Sequence, residues 1–361
     1  MRLIHRLTSP FRDDAPRAGS RTVALYALLA AANVGAWLWA VAAFRSYPVL
    51  LGTALLAYSL GLRHAIDADH IAAIDNVTRK LMQEGQRPVA VGFFFSLGHS
   101  TVVVVASVAI AATATALSTR LASFRTVGGV IGTTVSAAFL LLIAAINLFI
   151  LGALYRTFRR VRAGQGYEPE DLDALLAGGG WLARVLRPLF RMIRTSWHMY
   201  PLGLLFGLGF DTATEIGLLA ISAAEAARGM AMWSLLVFPT LFAAGMSLVD
   251  TTDSVLMVGA YGWAFRRPIR KLYYNLTITS ISVLVALLVG GVEALGMLAV
   301  RFRLSGGLWD VVGFLNRDLG SMGYLVVAVF VLSWAVSALI YRLKRYDDLD
   351  GAAATGAGGA M

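Results

Sequence analysis

The chain of 361 residues contains no cysteine, so disulfides and thiolate metal ligands are excluded. Charge is scarce: Asp, Glu, Lys and Arg make up 14% of the residues, against about 25% in soluble domains. Histidine occurs five times, too few for the several histidine clusters of membrane di-iron oxidases. The H-E-x-x-H string of helical metalloproteases is missing, as is the Gly-rich phosphate loop of ATP-hydrolysing proteins. These absences argue against an enzyme. The opening "MRLIHRLTSPFRDDAPRAGSR" has no apolar run of its own, so it reads as a cytoplasmic tail with no cleavable signal peptide.

Apolar sequence is what the chain has in abundance. Hydrophobic residues make up 58%, and mean hydropathy is +0.70. A membrane-crossing helix needs about 20 mostly apolar residues. Eight stretches qualify, at roughly 23–44, 48–74, 89–117, 127–154, 201–225, 232–260, 273–300 and 323–341. The expected fold is all-α, a polytopic integral membrane protein of about eight spans. Its expected organisation is a basic tail at 1–22, spans one to four within 23–154, an inner loop at 155–200, spans five to eight within 201–341, and a low-complexity tail at 342–361.

Charge placement orients this arrangement. With the N-terminus inside, the inner segments carry 23 of the 31 Lys and Arg residues, the outer segments seven, and Arg63 falls within a span. Positive charge collects on the cytoplasmic side of membrane proteins, so both termini are expected there, in a bacterial cytoplasmic membrane. The net charge of +10 is then accounted for by topology and by anionic lipid at the inner loops. No nucleic-acid partner is needed, and no obligate protein partner is expected.

Within the inner loop, "WLARVLRPLFRMIRTSW" sets Arg184, Arg187, Arg191 and Arg194 on one arc, with Leu and Ile residues opposite. That pattern predicts an amphipathic helix on the membrane surface, kinked at Pro188. Glycines at "GGVIG" and "GLLFG" (Gly203, Gly207) have the spacing that lets helix backbones approach closely in lipid. One internal similarity is also present. "FGLGFDTATEIGLL" in span five echoes "LGLRHAIDADHIAAI" in span two, and "MSLVDTTDSVLM" in span six echoes "FSLGHSTVV" in span three. Spans two and five run in opposite directions, so an inverted repeat (spans two and three against five and six) is a candidate, a device that recurs in transporters.

The spans themselves carry acids. Asp67, Asp69, Asp211, Glu215, Asp250 and Asp253 lie well inside them, with His64, His70 and His99, against the single cation Arg63. Charge inside a bilayer costs roughly 2.5 to 3.5 kcal/mol per residue on insertion scales and marks function by default. A basic protein with an acidic membrane interior points to a cation path. On a continuous helix His64, Asp67 and His70 share a face of about 120°, with Asp69 directed away. Imidazole with carboxylate suits a divalent transition metal, and Asp69 and Asp75 then serve to orient a ligand histidine. The alternative is that the helix unwinds here and backbone carbonyls join the shell. His99 would add a nitrogen donor from span three. Arg63 would neutralise Asp67 or a span-six carboxylate. For Asp211, Glu215, Asp250 and Asp253 three readings stay open: ion path, structural hydrogen-bond network, or proton coupling. Thr212, Thr214, Thr251 and Thr252 would be their local hydrogen-bonding partners.

At these residues the chain resembles a known family. "RHAIDADHI" (Arg63–Ile71) is similar to the second-helix signature of the nickel/cobalt transporters (NiCoT), whose core is His, four residues, then Asp-His; here that core is His64, Asp69 and His70. "FFFSLGHSTVV", "LGFDTATEI" and "GMSLVDTTDS" follow in the family's order. The resemblance implies a single-chain permease that takes up Ni2+, Co2+ or both, with the ion as transported substrate and no cofactor. It implies a metal site of His64, Asp67, Asp69, His70 and His99, and an ion path or coupling role for Arg63, Asp211, Thr212, Glu215, Asp250 and Asp253. Relatives that export metal often carry a His-rich inner loop; residues 155–200 hold only His198, which favours import. Transport of another divalent ion such as Zn2+ or Mn2+, metal export, and a sensor that binds metal without moving it are the competing readings.

Overall fold

Backbone amides and carbonyls cannot be left unpaired in hydrocarbon, so apolar runs of this length fold as helices. The computed structural model describes residues 13, 18–112, 118–162, 193–208, 213–264, 268–317 and 319–343. Among these residues every regular element is helical. In chain order they are α1 (Ala18–Phe44), α2 (Pro48–His64), α3 (Ala68–Gln83), α4 (Val91–Ala112), α5 (Ser118–Arg162), a 3-10 turn (Ser196–His198), α6 (Met199–Gly207), α7 (Ala213–Ala227), α8 (Met232–Leu235), α9 (Val237–Ala264), α10 (Pro268–Phe302), α11 (Leu308–Arg317) and α12 (Leu319–Leu343). Most of the N-terminal tail, the surface-helix stretch up to residue 192, and residues 344–361 of the C-terminal tail lie outside the described residues.

The protein is polytopic and all-helical, as expected, but not a set of eight straight spans. Five helices are continuous and apolar enough to cross a bilayer: Gly19–Phe44, Val91–Ile110, Gly129–Arg160, Met232–Gly262 and Leu272–Phe302. Two helix pairs meet the same requirement only together and are bent at a break, Pro48–His64 with Ala68–Gln83 at 51° and Leu308–Arg317 with Met322–Ser337 at 86°, which makes up to seven crossings if each pair is one. The stretch expected as span five is α6 and α7, on either side of residues 209–212.

Span two shows why such bends matter. Of the two readings of 48–74, a continuous helix or one that unwinds at the motif, the backbone takes the second: α2 stops at His64, and Asp67 begins α3 in an extended conformation (φ −64°, ψ 146°). α3 then runs to Gln83, past the expected start of the charged inner turn, so Arg79 and Lys80 are buried rather than in a loop. Burial is tolerable because both cations have partners. Arg79 donates to Thr279 Oγ1 at 2.8 Å and Asn76 Oδ1 at 2.9 Å. Lys80 donates to the Ile193 carbonyl and pairs with Glu84 at 3.3 Å.

Helix contacts around the centre of the molecule are backbone to backbone. A Cβ on Gly61 (α2) would run into the Phe242 carbonyl (α9), and one on Gly203 (α6) into the Phe95 carbonyl (α4). The reverse contacts match as well. Gly98 (α4) faces the Tyr200 carbonyl and Leu204 amide of α6, and Gly245 (α9) faces the Tyr58 carbonyl and Leu62 amide of α2. With no hydrophobic drive between helices in lipid, this close approach is what small residues supply. It accounts for Gly203 and Gly207 of "GLLFG", the latter against the backbone of His99. The two glycine-locked pairs, α2 on α9 and α6 on α4, enclose the polar residues.

Candidate metal centre

In a straight helix His64 and His70 would stand about 9 Å apart along the axis and about 120° apart around it. The break at residues 65–67 removes both separations. Their ring centroids are 4.6 Å apart, and His99 from α4 completes a near-equilateral triangle at 4.8 Å from His64 and 4.9 Å from His70. All three are buried. One ligand nitrogen from each ring lies within 4.8 Å of the others. Metal–imidazole bonds are about 2.0–2.1 Å, so nitrogens around one ion sit about 3 to 4 Å apart. His64 Nε2 and His99 Nε2, at 2.9 Å, need to part by only a few tenths of an ångström to admit a first-row divalent cation.

Each imidazole is oriented from behind or beside. Asp67 Oδ2 lies 2.9 Å from His64 Nδ1, with Thr214 Oγ1 at 3.0 Å on the same nitrogen. Both Asp250 oxygens lie 3.4 Å from His70 Nδ1. A carboxylate on Nδ1 holds the proton there and presents Nε2 as the free ligand atom. Consistent with that, His70 Nε2 is buried with no hydrogen-bond partner. His99 Nε2 is shared by His64 Nε2 and Glu215 Oε1, the latter at 2.9 Å. Arg63 Nη1 donates to Asp67 Oδ1 at 2.8 Å, so of its two expected partners Arg63 takes Asp67. The walls are aromatic: Phe95 meets the His70 ring edge-on at 4.8 Å, and Phe242 lies 5.5 Å from His64.

The residues singled out by sequence therefore separate. His64, His70 and His99 converge. Asp67 and Asp250 stand behind ring nitrogens, and Glu215, grouped with the ion path, touches the triangle directly. Asp69 is half-buried in the first turn of α3 and makes no side-chain hydrogen bond. Asp253 is one turn beyond Asp250. Asp211 and Thr212 lie outside the described residues. The walls Phe95 and Phe242 were not singled out, because aromatic residues in an apolar run carry no positional signal.

The Asp67 geometry makes a prediction. Asp67→Asn can still meet the imidazole but loses the charge that fixes its proton and that Arg63 neutralises. Partners of this kind are worth about 10- to 100-fold in metal affinity. Metal affinity of the purified variant, read by equilibrium dialysis, is expected to fall within that range with the chain still folded. An unchanged affinity would remove Asp67 from the site.

Comparison with known proteins agrees with this chemistry. A family model described as "High-affinity nickel-transport protein" (NicO) matches residues 50–340. The high-affinity nickel transport protein of Cupriavidus necator is 62% identical over 333 residues, covering 92% of this chain and 94% of that protein. The nickel transporter NicT of Mycobacterium tuberculosis is 49% identical over 302 residues, covering 82% and 80%. The cobalt transport protein NhlF of Rhodococcus rhodochrous is 43% identical over 298 residues, covering 82% and 84%. No solved structure matches.

Proposed function

The chain belongs to the NicO family of high-affinity nickel-transport proteins, and from that footing we propose that it carries Ni2+, Co2+ or both inward across the cytoplasmic membrane, with both termini inside. Its relatives are named as nickel and cobalt transporters rather than as enzymes. The observation that carries the reading for this chain is the buried triangle of His64, His70 and His99. The ion arrives hydrated from outside, drawn by the acidic interior. It exchanges waters for the three imidazoles, with Glu215 as an oxygen donor beside them and Asp69 as a charge at the margin. Asp67 and Asp250 orient His64 and His70, and Arg63 holds Asp67 in place.

An inside-negative potential favours inward movement by about 2.3 kcal/mol per elementary charge per 100 mV, hence about twice that for a divalent ion. Passage needs the halves to rearrange around the centre. The reciprocal contacts Gly61–Phe242 with Gly203–Phe95, and Gly98–Tyr200 with Gly245–Tyr58, support an inverted repeat in which α2 and α9 of one face correspond to α6 and α4 of the other. The broken element α2–α3 and the helices α6 and α7 then meet at the ion, as in transporters built on opposed repeats.

Uptake of radiolabelled Ni2+ into proteoliposomes under an imposed inside-negative potential tests the reading. Saturable accumulation that excess Co2+ suppresses and excess Mg2+ does not is the expected result. Binding without accumulation would replace transport by sensing, and block by Zn2+ alone would move the substrate to another transition metal.

A further inference from the structure

The backbone that joins His64 to His70 is held from outside by α12. Among the described glycines, Gly323 is the one whose added Cβ would meet the helix break. It would run into the Ile66 carbonyl and stand 3.2 Å from the carbonyl carbon of Asp67. The contacts of Gly61 with Phe242 and of Gly203 with Phe95 bring one regular helix against another. At Gly323 a helix instead meets the two residues that lead from α2 into α3. Ile66 is two positions from His64, and Asp67 carries the carboxylate that lies 2.9 Å from His64 Nδ1.

The contact continues along α3. Ile66, Ala68, Ile71 and Ala72 share an apolar cluster with Val326 and Phe330 of α12. Ala68, Ile71 and Ala72 lie on one side of α3, and His70 stands about 150° round from their middle, at about 100° per residue. On the His70 side are Asp250 and Phe95. α12 therefore presses on α3 from behind His70, and Gly323 decides how near it comes. Between α12 and α9 runs an open groove of about 550 Å³, lined by Ala65, Ile66, Ile71, Thr252 and Tyr324 among others. The break thus has packed backbone on its α12 side and space beside it, so it can shift without forcing the core apart.

We propose that Gly323 is a positioning residue of the metal centre: by letting α12 seat against the Ile66 carbonyl, it fixes the break that sets the His64–His70 spacing. The proposal rests on reading the three histidines as the metal centre. A methyl at 323 meets a main-chain carbonyl, which cannot turn aside as a side chain can, so Ile66 moves toward the groove. Asp67 is the next residue and moves with it, and the carboxylate that orients His64 leaves its place. The two rings, with centroids 4.6 Å apart, then no longer both reach one ion at a metal–imidazole distance of about 2.0–2.1 Å.

The test reads coordination rather than stability. Purified full-length protein in detergent is loaded with Co2+, whose visible absorption bands report ligand geometry. Gly323→Ala is expected to shift these bands and to weaken Ni2+ binding, read by equilibrium dialysis, on the order of tenfold. Gly290→Ala places a methyl against Leu140 in the same cluster but away from the break, and is expected to keep the parental Co2+ spectrum. Val326→Ala supplies the reading should Gly323→Ala not fold. It withdraws a buried side chain about one turn along α12 without any collision, and is expected to shift the bands as well. Parental spectra and affinities in both α12 variants would overturn the proposal, as would a Gly290→Ala spectrum displaced as far as that of Gly323→Ala. A Co2+ spectrum that His64→Ala leaves unchanged would instead overturn the histidine centre itself.

Discussion

Replacing His64 with alanine is expected to lower Ni2+ uptake by at least about a hundredfold, while His198→Ala leaves it unchanged. His64 is where the site's contacts converge: Nε2 meets His99 at 2.9 Å, and Nδ1 meets Asp67 and Thr214. Removing it takes away one of three nitrogen donors and also strands Asp67, whose remaining partner is Arg63. Losing an orienting partner alone costs about 10- to 100-fold in metal affinity, so losing the ligand it orients costs more. His198 instead meets Thr195 Oγ1 at 2.8 Å, at the start of α6 and away from the triangle. Initial uptake rates, normalised to the amount of folded permease, check this. His64→Ala protein that transports at the parental rate would refute the centre, and an equal loss in His198→Ala would show that histidine number rather than placement is being measured.

How much of this was legible in the sequence depends on the kind of signal. Apolar runs declare helices, because hydrocarbon leaves the backbone no alternative, and the eight stretches are helical over most of their described residues, with the break at 65–67 inside the second. Intramembrane charge declares function, which drew notice to His64, His70 and His99. The geometry that joins them was not readable, because a period of 3.6 assumes a continuous helix. Only the break at residues 65–67 brings His64 beside His70. Asp250 reaches His70 from 180 positions away, and Glu215 reaches His99 from 116; nothing local marks such partners. Arg79 was placed in a loop because charge ordinarily marks the end of a span, whereas here Thr279 and Asn76 hold it inside.

The internal echo was readable but its register was not. Laying "LGLRHAIDADHIAAI" on "FGLGFDTATEIGLL" pairs Gly61 with Gly207, whereas the contacts pair Gly61 with Gly203, one turn earlier. In that register Tyr58, Leu60, Gly61 and Leu62 match Tyr200, Leu202, Gly203 and Leu204, and Phe95 and Gly98 match Phe242 and Gly245. The inverted repeat proposed above takes its register from these glycine contacts, because the string similarity is too short to fix an offset.

That register predicts matched losses. Gly61→Ala and Gly203→Ala each drive a methyl into a main-chain carbonyl, of Phe242 and of Phe95, and a helix backbone cannot rotate aside as a side chain can. Overfilling a tight contact costs about 1–3 kcal/mol and sometimes more, which outweighs the gain of about 1 kcal/mol that alanine brings over glycine within a helix. Both variants are expected to lose thermal stability by similar amounts in detergent. Gly52→Ala, whose added methyl meets nothing within 4 Å, is expected to match or slightly exceed the parent. The double variant tests more than additivity. If α2 on α9 and α6 on α4 are equivalent hinges about one centre, loosening either alone unbalances the two sides of the ion, so each single variant should slow transport more than it weakens Ni2+ binding. A large loss at Gly61 with none at Gly203 would show that the two contacts do different work, and the repeat would then be a likeness of sequence without a shared mechanical role.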